Sequence, residues 1–262
     1  MTQLTPISEA LTSFSHISLD EMDNVRLMNR TDTKYVVSVN RLPGLLAKMN
    51  GDYRILEING NRVFSYLTTY LDTGDYLFFN HHITGKLSRN KVRFRRYEAT
   101  GITFLEVKKR TNKNRTVKWR IENNLPSDGI FDAAACEFIN RHVPQRPLVL
   151  QPVLTNTFRR ITFVGAEVKE RITLDYNISF TNPEGRNAAL QKIAVVEVKK
   201  DMFTDRSFIT AILKESAVYP TGFSKYCIGS AVLNEHLRKN ILKPKLLMIN
   251  KLEYEYDRLV LA

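Results

Sequence analysis

The chain is poor in cysteine, in acidic residues and in long apolar runs. Its 262 residues hold two cysteines, Cys136 and Cys227, far apart and in stretches that read as helical and apolar. That excludes a disulfide-stapled scaffold and predicts buried free thiols in a reducing compartment. No stretch approaches the ~18 consecutive apolar residues of a membrane-spanning helix. Met1 to Asp20 has no basic head followed by an apolar core. No signal peptide is expected, and the sequence reads as a soluble, cytoplasmic protein. A Walker A loop and a kinase-type glycine-rich loop are absent, so neither fold is supported. His81 and His82 lack the spacing of a zinc site and read as loop or packing residues. Internal repeats and low-complexity tracts are absent as well.

What is present is globular: 43% hydrophobic and 25% charged. The shortage of acid sets the class of partner. Against 39 Lys and Arg stand 27 Asp and Glu, leaving a formal charge of +12. Such a balance selects phosphate-rich ligands: nucleic acid, nucleotide, inorganic polyphosphate or an anionic lipid surface.

The cations are ordered. Lys91 to Tyr97 and Phe104 to Arg110 alternate, as strands do. Period two puts Arg93, Arg95 and Tyr97 on one face, opposite Val92 and Phe94. It likewise puts Glu106, Lys108 and Arg110 opposite Leu105 and Val107. Arg115 to Glu122 sets Thr116, Lys118 and Arg120 against Val117, Trp119 and Ile121. Leu148 to Val164 carries Arg160, and Ala166 to Phe180 carries Arg171, Thr173 and Asp175 on one face. Ile193 to Lys200 sets Glu197 and Lys199 against Ala194, Val196 and Val198. Lys34 opens an early strand, and Ser224 and Lys225 open a late helix. A solvent face is normally mixed in charge; cations repeated on strand after strand repel unless they converge on a polyanion.

The rest of the chain frames these strands. Thr5 to Arg30 reads as helical and peripheral, with Ser18 and Glu21 at the spacing of a capping box. Asn40 is placed to cap a helix over 41–49. Asn59–Gly60 signals a hairpin between Ile55–Ile58 and Val63–Leu71. Ser127 or Asp128 can cap a helix running to His142, with Ile130 and Phe131 on its apolar stripe. Asp205 can cap Arg206 to Val218. Residues 1–29 are read as a helical segment, 30–240 as one domain and 241–262 as a tail packed on it. About eight strands joined by short turns imply antiparallel neighbours. Two-faced strands in that number predict an α+β fold: a closed antiparallel β-barrel with flanking and plugging helices.

With the aliphatic faces turned to the helices, the charged faces point inward. A dry interior cannot hold several unpaired cations. The hollow is therefore wet or filled by an anion, and arginine forks with lysine point charges suit phosphate. Glu106 and Glu197, each in a Glu-x-Lys pattern, either balance charge or hold a divalent cation on phosphate oxygens. Mg²⁺ and Mn²⁺ fit such oxygen ligands equally. RNA is disfavoured, because the basic residues are not interleaved with exposed aromatics.

A family resemblance rests on nine segments in order: Arg-Thr-Asp-Thr-Lys-Tyr (30–35), Tyr-Leu-Asp-Thr (70–73), Val-Arg-Phe-Arg-Arg-Tyr (92–97), Leu-Glu-Val-Lys (105–108), Thr-Val-Lys-Trp-Arg (116–120), Phe-Arg-Arg-Ile-Thr-Phe (158–163), Arg-Ile-Thr-Leu-Asp (171–175), Val-Glu-Val-Lys (196–199) and Phe-Ser-Lys-Tyr (223–226). From about Arg30 to Leu237 the sequence resembles the VTC domain. That is the catalytic domain of the vacuolar transporter chaperone polyphosphate polymerases, within the triphosphate tunnel metalloenzyme (CYTH-like) superfamily. The resemblance implies an antiparallel tunnel in which the ATP triphosphate lies among basic side chains. It implies a divalent metal beside a tunnel glutamate, and transfer of the γ-phosphoryl group to inorganic polyphosphate. By motif, Arg93, Arg95, Lys108, Lys118, Arg160, Lys199 and Lys225 would form the catalytic phosphate path. Lys34 and Ser224 would contact substrate, joined by Arg120, Arg171 and Tyr97 from the inward faces. Glu197, and Glu106 after it, would bind metal. The glutamate that relatives place before Arg30 is Asn29 here, and the Glu-x-Glu-x-Lys signature is missing. The departure disfavours a hydrolytic triphosphatase. Such a hydrolase, and a non-catalytic polyphosphate-binding module, are the alternatives to the polymerase.

Overall fold

One eleven-stranded sheet dominates the computed structural model, which describes residues 5–24, 30–113, 115–126, 129–143, 149–203 and 206–260. The chain begins with α1 (Thr5–Thr12), β1 (His16–Ile17) and α2 (Leu19–Asn24). Then come β2 (Arg30–Ser38), α3 (Leu42–Met49), β3 (Tyr53–Leu56), β4 (Phe64–Asp72) and α4 (Leu77–Ile83). A meander follows of β5 (Arg89–Tyr97), β6 (Thr103–Arg110) and β7 (Thr116–Glu122), then α5 (Ala133–His142). The long strands are β8 (Gln151–Gly165) and β9 (Glu170–Thr181), with β10 (Asn187–Leu190) and β11 (Ile193–Asp201) after them. The chain ends in α6 (Phe208–Glu215), α7 (Lys225–Leu233) and α8 (Lys243–Val260).

The main path across the sheet is β2-β11-β9-β8-β4-β5-β6-β7, antiparallel throughout; β10 lies beside β9, and β3 joins β8 to β1. The fold is α+β, and its antiparallel sheet curls into half a barrel.

The expected closure does not occur: β2 and β7 end the path and do not pair. The free edge of β2 is taken instead by the segment before α7, where Thr221 N–H donates to the Lys34 carbonyl at 2.9 Å. β7 is exposed at most positions. Both edges carry inward cations, Lys34 on one and Lys118 and Arg120 on the other. Pairing them would set like charges side by side across a ladder.

Other expectations shift locally. The Asn59–Gly60 turn forms, with φ of 49° and 72° and an Ile58–Asn61 bridge. Its flanks do not make a hairpin: Tyr53–Ile55 pairs with Phe163–Gly165, while β4 pairs further along the same β8. The N-terminal helix is two short helices around a two-residue strand. The capping box within it is present, Ser18 N–H donating to Glu21 Oε2 at 2.9 Å and Glu21 N–H to Ser18 Oγ at 3.2 Å. Arg41 rather than Asn40 precedes α3. Asp132 caps α5, accepting from Ala135 N–H at 2.7 Å, and Ile130 is left exposed. Ser127, Asp128 and Asp205 lie outside the described residues; Ser207 caps α6. Of the thiols, Cys227 is buried but Cys136 is exposed, and both are free. No helix among the described residues is long and apolar enough to cross a membrane.

Apolar packing covers both sides of the sheet. On the convex side, α1, α3 and α6 seal β2, β8, β9 and β11 through Leu11, Leu46, Ile161, Ile172, Val196 and Leu213. Further round, Phe138 and Ile139 of α5 cover Phe94, Leu105 and Val107. On the concave side, α7 enters the hollow. Tyr226, Ile228 and Ala231 meet Leu154, Phe158, Ile178, Phe180 and Val195, and Ile249 of α8 joins them. Asp72 anchors the plug from β4. It accepts from the Tyr226 hydroxyl and from the backbone N–H of Phe78 and Phe79, each at 2.9 Å.

Gly229 permits that insertion, since a Cβ there would lie 2.4 Å from Phe180 Cδ1 and 2.9 Å from Leu154 Cδ2. Overpacking a filled site costs about 1–3 kcal/mol. Gly229→Ala should therefore lower the denaturant midpoint by that amount with the slope unchanged; an unaltered midpoint would show that α7 is not seated this way.

A charged chamber as candidate functional site

The inward face changes character along the strands. On β11 it reads Ile193, Val195, then Glu197, Lys199; on β2, Val36, then Lys34, Asp32. On β8 Phe158 is followed by Arg160. β9 makes the same change across a register shift, where Asn177 adopts φ 51°. The extra residue lets Ile178 and Asp175 face the same way although they are an odd number of positions apart. The apolar half is the floor on which α7 sits. The polar half is a chamber.

Three carboxylates project into it, and each lies between two cations. Glu106 is met by Arg93, with Nε and Nη2 each 2.7 Å from Oε2, and by Lys118. Asp175 takes the Arg160 fork at 2.5 and 2.7 Å and the Lys225 ammonium. Glu197 takes Lys199 and, at 3.3 Å, Lys34. Burial alone would raise these carboxyls, but the cations outweigh it. Arg93, Arg95 and Lys118 hold Glu106 at about 2. Arg160 and Lys225 hold Asp175, and Lys199 and Lys34 hold Glu197, well below the ordinary range. Their contribution to stability is present above the unfolded carboxylate range and is lost as pH falls through the lowered values.

Among the described residues Arg95, Arg171, Lys91 and Lys108 form no salt bridge. Arg95 is buried; its Nε lies 3.4 Å from Thr68 Oγ1 and its guanidinium 5.7 Å from the Tyr66 ring centroid. Arg171 lies on β9 opposite Lys199. Lys91, on the same face of β5 as Arg93, donates to Ser224 Oγ at 3.1 Å. Desolvation pulls Lys91 down to about 7, against an opposing pull from Cys227. Desolvation, Lys34 and Arg93 pull Lys108 to about 8. Desolvation likewise brings Lys225 to about 8, although Asp175 pulls the other way.

The residues singled out in the sequence thus divide. Lys34, Arg93, Arg95, Glu106, Lys118, Arg160, Glu197, Lys199 and Lys225 line one chamber, with Arg171 on the same inner face. Ser224 caps α7 and also meets Lys91. Tyr97 lies at the far end of β5 against Tyr66 and Phe104, at ring distances of 5.2 and 5.9 Å. Arg120, exposed on the edge strand, sits 4.6 Å over the Phe104 ring. A cavity of about 390 Å³ opens beside the chamber, and Lys34, Lys108 and Ser224 line it. So do Asp32, Lys91, Arg89 and Lys245, which were not singled out in the sequence, and His82, which was read as a loop or packing residue. Lys91 and Asp32 share strand parity with Arg93 and Lys34 and were legible; His82 and Lys245 come from helices and were not. Among the described residues no three His, Cys, Asp or Glu side chains group as a metal site.

The VTC domain family model matches residues 29–234. No curated protein matches the chain. Among solved structures it resembles a candidate adenylate cyclase from Bacillus halodurans, at 12% identity and TM-score 0.47, covering 75% of this chain and 96% of that one. A Hippeastrum protein described as a candidate adenylyl cyclase with dominant triphosphatase activity is 13% identical, with TM-score 0.47, covering 79% and 97%. A candidate adenylate cyclase from Vibrio parahaemolyticus is 16% identical, with TM-score 0.40, covering 83% and 99%.

The lysines give a pH test. Unfolded lysines titrate near 10.4, so between about pH 7 and 9.5 the unfolded chain binds more protons than the fold, where Lys91 and Lys225 have lower values. Stability should rise across that window. The buried Cys227 thiol, pushed up by burial, acts in the opposite sense but is a single group. Denaturant midpoints at the two pH values check this; Lys91→Met should flatten the rise, and a fall in the unmutated protein would contradict it.

Proposed function

Because the chain belongs to the VTC domain family, we propose that it is an ATP-dependent polyphosphate polymerase working in the charged chamber. The observation that carries the reading is the pattern of pairing. Glu106, Asp175 and Glu197 each hold two cations, and among the described residues Arg95, Arg171, Lys91 and Lys108 are left over with no salt bridge. The surplus faces one hollow, which suits a row of linked phosphates.

The chemistry asks for position and charge more than covalent help. A terminal oxygen of the polyphosphate chain attacks the γ-phosphorus of ATP. The bond from that phosphorus to the β–γ bridging oxygen breaks, and ADP leaves with the electron pair. Arg93, Arg95 and Arg160 supply fixed forks for the charge on the transferred group. Lys225 and Lys199 exchange a carboxylate partner for a phosphate one. Holding them on Asp175 and Glu197 beforehand means that little reorganisation is needed when substrate enters.

Of the two carboxylates expected to bind metal, one fits. Glu197 keeps 14% of its side chain accessible, with Lys34 at a loose 3.3 Å, so an oxygen can turn to a divalent cation that also binds phosphate. Glu106 is 1% accessible and locked between Arg93 and Lys118, so we assign it as a fixed counterion. Mg²⁺ or Mn²⁺ at Glu197 would supply Lewis-acid neutralisation of the phosphoryl oxygens.

Purified protein with ATP and Mn²⁺ should yield ADP and polyphosphate together. ADP with free phosphate alone would make it a hydrolase, and tight polyphosphate binding without turnover would make it a binding module. Arg95→Ala removes a cation that forms no salt bridge, although it helps to hold Glu106 low, so the fold should survive while kcat/KM falls about 10²–10³-fold. Unchanged turnover in that variant would sink the chamber assignment.

A further inference from the structure

Aromatic rings stand side by side on the inward face where β8, β4 and β5 meet. Tyr66 of β4 pairs across the ladders with Phe158 of β8 and with Tyr97 of β5. It stacks on Phe158, with centroids 5.2 Å and planes 4° apart, and meets Tyr97 edge-on at 5.2 Å. We propose that Tyr66, stacked on Phe158, is a positioning residue whose ring face holds the Arg95 and Arg160 guanidinium groups in place for phosphoryl transfer. The inference rests on the polymerase reading and adds to it an uncharged residue on which the arginines depend.

The register dictates the contacts. Arg160 lies opposite Phe64 and Arg95 opposite Thr68, two residues to either side of Tyr66 along β4. Both are diagonal neighbours of Tyr66, within reach of a long side chain. Arg160 Cζ is 5.2 Å from the Tyr66 centroid and 5.2 Å from that of Phe158, and Arg95 Cζ is 5.7 Å from Tyr66. The Lys225 ammonium lies 4.1 Å from the Phe158 centroid. One stacked pair of rings therefore meets Arg95, Arg160 and Lys225, all assigned to the phosphate path.

A ring holds an arginine differently from a carboxylate. Its face attracts a cation through the quadrupole but carries no net charge, so the guanidinium is placed without being neutralised. Arg95 depends on this most. Among the described residues it forms no salt bridge, and its Nε reaches Thr68 Oγ1 only at 3.4 Å. Arg160 is held twice, by Asp175 and by the rings. The Tyr66 hydroxyl brings no negative charge, because burial raises its pKa and outweighs the pull of Arg160 and Arg95. Packing accounts for Phe158, which is 2% exposed in the core beside α7. Tyr66 is only partly buried, at the margin of that core, with its ring turned to the arginines.

Three variants separate the charge of the ring face from its shape: Tyr66→Leu, Tyr66→Phe and Tyr66→pentafluorophenylalanine. The fluorinated ring keeps the shape and presents a positive face. With ATP and Mn²⁺, its kcat for polyphosphate synthesis should fall about 5–30-fold while KM for ATP stays within about threefold. Tyr66→Leu should lose at least as much, and Tyr66→Phe should restore kcat to within about twofold of the unmutated protein. Nitrogen relaxation of the Arg95 Nε–H group adds a readout that does not need turnover. The group should be ordered in the unmutated and Tyr66→Phe proteins and lose order in the other two. Equal kcat for the phenyl and fluorinated rings, or an Arg95 side chain equally ordered in all four proteins, would overturn the proposal. Absence of polyphosphate from the unmutated protein would overturn the polymerase reading instead, and the Arg95 relaxation would still decide whether Tyr66 holds the arginine.

Discussion

Cations facing one another across a hollow repel, and this sheet holds them because three carboxylates stand among them. Glu106, Asp175 and Glu197 sit on separate strands, and each takes two positive partners. Taking such ions out of water is costly, and the attraction within each trio offsets that cost only when the geometry is good. The bidentate Arg160–Asp175 contact and the doubled Arg93–Glu106 contact meet that condition. Removing a carboxylate would strand two cations at once, so these acids are as necessary to the fold as any apolar side chain.

The apolar floor is the other half of the same constraint. A hollow charged along its whole length would have nothing to pack against, and an apolar one would have nothing to bind. Each long strand therefore changes chemistry partway, and α7 fills the greasy end while its first residue reaches the charged end. Lys225 contacts Asp175, and Tyr226, the next residue, reaches Asp72 through the apolar side. One helix thus seals the core and delivers a cation, with Ser224 at the junction capping it and accepting from Lys91.

Much of this was legible from alternation alone. Arg93 against Val92, Lys108 against Val107 and Glu197 against Val196 were assigned to opposite faces, and the ladders place them so. Period two carries that information because each side chain's face depends only on its own strand. What alternation does not carry is where strands end and which edges meet. Closure was expected from strand number, yet β2 found a partner in the non-strand segment at Thr221. The Asn59–Gly60 turn formed from its local chemistry, while the strands beside it obeyed a tertiary preference for β8. The shift at Asn177 also escaped the pattern, since a residue in the left-handed region reverses parity without a glycine to announce it. Lys245 escaped because a helix surface gives no clue to the cavity its end will reach.

The open seam follows from the same charges that define the chamber. Joining β2 to β7 would press Lys34 toward Lys118 and Arg120, while Glu106 and Glu197 are already shared. A segment with turn chemistry, Pro220 to Gly222, covers β2 instead and brings Ser224 and Lys225 to the site. A fully paired barrel would offer a linear ligand only its two mouths. A half-barrel whose end strands do not meet is open along a flank as well, and its inner cations are reached from that side too.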